Sequence, residues 1–90
     1  MQHKSDKNIY LANKIAELVR ELRLNKGYSG RKLAYEYGIS RSNLNKIENG
    51  VIECKIGTLL KICEALGINF SDFAKLLEEK LGKDFTFIDI

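Results

Sequence analysis

The side chains equipped for specific chemistry gather between Ser29 and Gly50. Leu44 and Ile47 stand three apart, the spacing of an inward helix face, so Arg41, Ser42, Asn45 and Lys46 face outward together. The Arg41 fork can donate two parallel hydrogen bonds to guanine O6 and N7. Asn45 can pair with adenine N6 and N7 or bond a phosphate, and Lys46 can reach guanine or backbone. Covalent and metal chemistry lack their parts. The sole histidine is His3, and the two cysteines, Cys54 and Cys63, are nine positions apart without a CxxC, so neither a zinc site nor a disulfide framework can be built. No Ser/His/Asp set offers a nucleophile with its base. The expectation is a chain that is not an enzyme and needs no metal or cofactor. Cys63, on an apolar helix face, is expected to be a buried reduced thiol, and Cys54 a loop or helix-end residue.

Length and composition bound the rest. Ninety residues, 44% hydrophobic and 30% charged, make one globular domain and exclude a disordered chain, a collagen-like chain and a two-domain enzyme. No apolar run approaches the roughly 18–20 residues that span a bilayer, and the start of the sequence is polar, so a cytoplasmic protein with no membrane partner is expected. Residues 1–50 carry ten Lys/Arg against five Asp/Glu, and residues 51–90 five against seven, so the formal +3 divides into +5 and −2. A basic half of this kind suits a polyanion.

The face at Arg41–Lys46 needs a frame, and the apolar periodicity supplies one. Leu11, Ile15, Leu18 and Leu22 predict a first helix over about 8–25, after a flexible tail at 1–7. Ser29 caps a short second helix, 30–37, with Leu33, Ala34 and Tyr37 inward, and Gly38 ends it. Ser40 caps a third, 41–48, stopped by Asn49-Gly50. Two eight-residue helices joined by Gly38-Ile39-Ser40 make a helix-turn-helix by spacing alone. A fourth helix, about 55–66, shows Ile56, Leu59, Leu60, Cys63 and Leu66 on one face. A fifth, 72–81, is capped by Ser71 and carries Phe73, Leu76, Leu77 and Leu81. The closing run Phe85-Thr86-Phe87-Ile88-Asp89-Ile90 is β-branched and aromatic and predicts a short strand. The domain proper is then 8–82, with 83–90 as a separate terminal segment.

The stretch SGRKLAYEYGISRSNLNKIENG, Ser29 to Gly50, resembles the helix-turn-helix of the phage-repressor family, the lambda-repressor-like or Cro-type regulators. Ser29, Leu33, Ala34, Gly38, Ile39, Ser40, Ile47, Glu48, Asn49 and Gly50 match that pattern in register, and the resemblance covers about residues 8–81. It implies an all-α, five-helix DNA-binding domain, sequence-specific binding of double-stranded DNA, and transcription regulation, by default as a repressor. Bases would be read from Arg41, Ser42 and either Asn45 or Lys46. Phosphates would be met by Ser29, Arg31, Lys32, Ser40, Asn43 and Asn49. Glu48 is read as structural, pairing with Arg20 or Arg23. The family often has Gln where this chain has Gly30, and a Pro-Ser pair where it has Cys54-Lys55. Lys55 is a poor N-cap, its charge opposing the helix dipole. Neighbouring functions on the same frame are an antitoxin, a controller of a restriction or mobile-element system, or a protein-interaction module that does not bind DNA.

One such domain covers a half-site only, so a homodimer on a palindromic operator is expected, with recognition helices roughly 34 Å apart. The candidate interface is Phe73 and Leu77 of the fifth helix with Phe85, Phe87, Ile88 and Ile90 of the terminal strand, which would pair with its twofold copy as a ribbon.

Overall fold

The computed structural model describes residues 3–51 and 54–88. Five helices follow one another: α1 (His3–Lys26), α2 (Gly30–Tyr37), α3 (Arg41–Glu48), α4 (Ile56–Leu66) and α5 (Phe70–Leu81). The short helices are delimited by caps. Ser29 Oγ accepts the Lys32 amide at 3.0 Å and Ser40 Oγ accepts the Asn43 amide at 3.2 Å, each satisfying a donor at a helix start. Gly38, at φ 66°, takes the left-handed conformation that turns α2 into α3. Lys55 provides no side-chain cap to α4.

Helix α1 is the spine and packs against α3, α4 and α5. Val19, Leu33, Leu44, Ile62, Cys63 and Phe73 form the fully buried centre, one or more from each helix. The buried thiol of Cys63 agrees with the sequence reading.

Helix α4 is rotated from its expected setting. Leu59, Cys63 and Leu66 are buried, but so are Ile62 and Ala65, whereas Ile56 is 62% exposed and Leu60 is also exposed. Apolar residues surround most of this helix, so its own period allows two phasings, and packing on its neighbours chooses between them. Helix α5 starts two residues early. Asn69, not Ser71, stands at its N-cap, and the Phe73 amide bonds the Asn69 carbonyl at 3.0 Å. Tyr37 was expected in the core. It lies at the exposed end of the two-turn α2 with its ring stacked on Tyr28, centroids 6.3 Å apart.

Two further corrections lie at the N-terminal end of α1 and in the tail beside it. The helix expected from residue 8 begins at His3, so most of the expected tail is helical. The strand expected over 85–90 does not form among its described residues: 85–88 are irregular. After Gly82 the chain folds back along the N-terminal part of α1. Phe85 stacks on Tyr10 with centroids 5.3 Å apart, Tyr10 Oη donates to the Leu81 carbonyl at 3.1 Å, and Lys7 Nζ donates to the Thr86 carbonyl. A lone strand leaves its edges unpaired, and α1 offers the tail an aromatic seat within its own chain. The candidate interface residues differ in exposure. Phe73 is 0% exposed and closed to any partner, Leu77 is half-buried, and Phe87 and Ile88 are exposed. Ile90 lies outside the described residues.

Candidate nucleic-acid interface

Leu44 and Ile47 anchor α3 in the core, and the opposite face carries Arg41, Ser42, Asn45 and Lys46, all exposed. Hydrogen bonds close both ends of that face. Ser40 caps the helix through Asn43, and the Asn49 amide group donates to Asn45 Oδ1 at 3.4 Å across the last turn. Asn43 and Asn49 are exposed beside them. On α2, Ser29 is the cap, Arg31 is exposed, and Lys32 is partly engaged: its Nζ lies 3.2 Å from Glu36 and 5.3 Å above the Tyr28 ring. The structure therefore brings all ten sequence-predicted contact residues to the α2–turn–α3 region.

The single acid of α3 is turned the other way. Glu48 is buried, and Arg23 clasps it with Nε to Oε2 at 2.7 Å and Nη2 to Oε1 at 2.8 Å. Arg20 donates to the Glu48 backbone carbonyl at 2.7 Å, and Arg23 also reaches the Tyr28 carbonyl at 2.9 Å. The hydrogen bond to Glu48 raises the Arg23 pKa above its ordinary value. Of the two expected partners, Arg23 pairs with the carboxylate and Arg20 with the backbone carbonyl of the same residue. Their effect is to bolt the end of α3 to α1. The outward face keeps cations and hydrogen-bonding groups with no carboxylate among them.

One positioning residue escaped the sequence reading. Lys61 of α4 donates to the Gly38 carbonyl at 3.3 Å and so holds the turn between α2 and α3. Its partner is 23 positions away, and no local signal links them.

A profile for the helix-turn-helix (HTH_3) family matches residues 19–73, more than half of the chain. The chain belongs to this family. The matched helix-turn-helix region runs from the Arg20–Arg23 turn of α1 to Phe73 and contains both partners of the Glu48 clasp. The HTH-type transcriptional regulator YgzD of Bacillus subtilis is 38% identical over 61 residues, 68% of this chain and 92% of that protein. The HTH-type transcriptional regulator RamB of Mycobacterium tuberculosis is 36% identical over 67 residues, 74% of this chain but 14% of its own length, so the chain spans a small part of that relative. The restriction-modification controller protein C.Esp1396I, solved as a tetramer in complex with its natural 35-base-pair operator, superposes with a TM-score of 0.74 at 25% identity over 80% of this chain and 95% of that one. Among the described residues no helix is long and apolar enough to cross a membrane, and no group of His, Cys, Asp and Glu could hold a metal ion.

Proposed function

We propose that the protein is a sequence-specific DNA-binding transcription regulator that lays α3 in the major groove of an operator. The observation that carries this reading is the partition of charge on α3. Its only acid is clasped inward by Arg23, and its outward face offers cations and hydrogen-bonding groups alone. A major groove admits one helix and presents base edges to side chains near that helix's start. Arg41, Ser42, Asn45 and Lys46 face the bases. Ser29, Arg31, Lys32, Ser40, Asn43 and Asn49 meet the flanking phosphates. Two copies bind a palindromic site and repress by occupying it. They associate through a surface that includes the half-buried Leu77 of α5 and the exposed Phe87 and Ile88 of the tail.

Control of a restriction-modification system is the second reading, favoured by the superposition on C.Esp1396I. An in vitro selection from random duplexes tests both. A palindromic consensus is expected, with log K falling against log salt by about 0.9 for each phosphate neutralised. A flat salt response on the whole pool refutes DNA binding and favours an interaction module instead.

A further inference from the structure

Arginines occur in two pairs in this chain, and the structure uses them oppositely. Arg20 and Arg23 are held by Glu48. Arg31 and Arg41 are exposed, and neither side chain has a hydrogen-bond or ion-pair partner among the described residues. They are ten positions apart in sequence, yet they line the same shallow groove, of about 380 Å³, between α2 and the start of α3. Its other walls are Ala34, Tyr35 and Ile39. Ala34 and Ile39 are buried and make an apolar floor, while Tyr35 is 87% exposed.

Two guanidinium forks and an almost bare aromatic ring thus open onto one groove, and no carboxylate lines it. A ligand complementary to both carries a compact anion and, next to it, a small apolar body. A phosphodiester unit has that composition: two non-bridging oxygens that share one negative charge and suit guanidinium forks, and a deoxyribose with an apolar face.

We propose that Arg31, Tyr35 and Arg41 form one subsite for a single phosphodiester of bound DNA, the two guanidiniums clasping the phosphate and the Tyr35 ring covering its sugar. The proposal rests on the DNA-binding reading above and sharpens it. It makes Arg41 a backbone clamp, leaving base selection to Ser42, Asn45 and Lys46. Tyr35 acts through its ring and not its hydroxyl.

The test uses the duplex that the wild-type protein selects from a random pool. Affinity is measured over a salt series for Arg31→Ala, Arg41→Ala, the double variant, Tyr35→Ala and Tyr35→Phe. All three positions are exposed, and unchanged far-UV circular dichroism confirms folding. Each single arginine variant should bind about tenfold more weakly, from lost charge-assisted hydrogen bonds. The salt slope should stay near the wild-type value in each single variant, because one guanidinium still neutralises the phosphate. In the double variant it should fall by about 0.9 per protomer. A duplex carrying one neutral methylphosphonate per half-site, walked along the strand, should weaken the wild type at one position to which the double variant is indifferent. Tyr35→Phe should bind as the wild type does and Tyr35→Ala several-fold more weakly.

Three results overturn the proposal. A changed consensus selected by Arg41→Ala would make Arg41 a base reader. A slope loss of about 0.9 in each single variant would mean two separate phosphates. Unaltered binding by Tyr35→Ala would remove the ring from the subsite. Failure of the parent reading looks different: the wild type itself selects no duplex and shows no salt slope.

Discussion

Replacing Glu48 by alanine should lower the melting temperature by about 10–20 °C. The estimate comes from the geometry of the clasp. The Arg23 and Glu48 side chains are only 13% and 11% exposed, and two hydrogen bonds of 2.7 and 2.8 Å join them. Removing one partner of a fully buried pair costs about 3–5 kcal/mol, because the other charge is left uncompensated, while an exposed pair is worth about 0–1 kcal/mol. Arg23 would keep its bond to the Tyr28 carbonyl, and part of the side chain can still reach water. These place the loss at about 2–3 kcal/mol, and each kcal/mol shifts the melting point of a domain this size by about 4–8 °C. The assay is thermal unfolding followed by far-UV circular dichroism on Glu48→Ala, Arg23→Ala and the double variant. The double-mutant cycle should return a coupling of about 1–3 kcal/mol. The raised Arg23 pKa adds stability that is complete below the ordinary arginine range and lost only as pH rises through it, so the arginine side of the clasp brings no pH dependence near neutrality. A melting point lowered by less than about 4 °C, with a coupling below about 0.5 kcal/mol, would place the pair among weak surface bridges and refute the role assigned to it.

Three other outcomes are expected. Gly50→Ala and Gly27→Ala should each lose about 1–2 kcal/mol by chemical denaturation, because both glycines hold a left-handed backbone, at φ 70° and 81°, and the near contact of a Cβ at Gly50 is the end of the exposed Asn13 side chain, which can turn away. A loss at Gly50 more than about 1 kcal/mol above that at Gly27 would contradict that freedom. Burial pushes the Cys54 thiol up to about 11, so at pH 8 about one thiolate in a thousand is available. Alkylation should therefore be slow and rise about tenfold per pH unit until about 11; a rate at pH 8 matching a free small thiol would contradict that burial. Phe85→Ala should cost about 1–2 kcal/mol independently of protein concentration and couple to Tyr10→Ala, whereas strictly additive losses would mean that the tail does not rest on α1.

Much of the frame was legible because its signals are local. Ser29, Gly38 and Ser40 each act on backbone within a few residues, so the limits of α2 and α3 follow from side-chain capping and left-handed φ alone. The outward set on α3 follows from the inward pair Leu44 and Ile47, since a short amphipathic helix has one possible phase. The same logic failed for α4, where apolar residues on most sides removed the contrast that sets a phase, and Ile56 and Leu60 ended outside.

What only the tertiary structure decided involves pairs distant along the chain. Phe85 leaves the expected strand for a ring 75 positions away, and α1 gains its early turns opposite the same tail. Lys61 finds the Gly38 carbonyl, and Arg31 and Arg41 come to share one groove. Caps and periodicity are properties of neighbouring residues, whereas these meetings depend on how the helices are rotated and stacked. That choice is made by the shared burial of Val19, Leu33, Leu44, Ile62 and Phe73, whose packing energy belongs to no single segment.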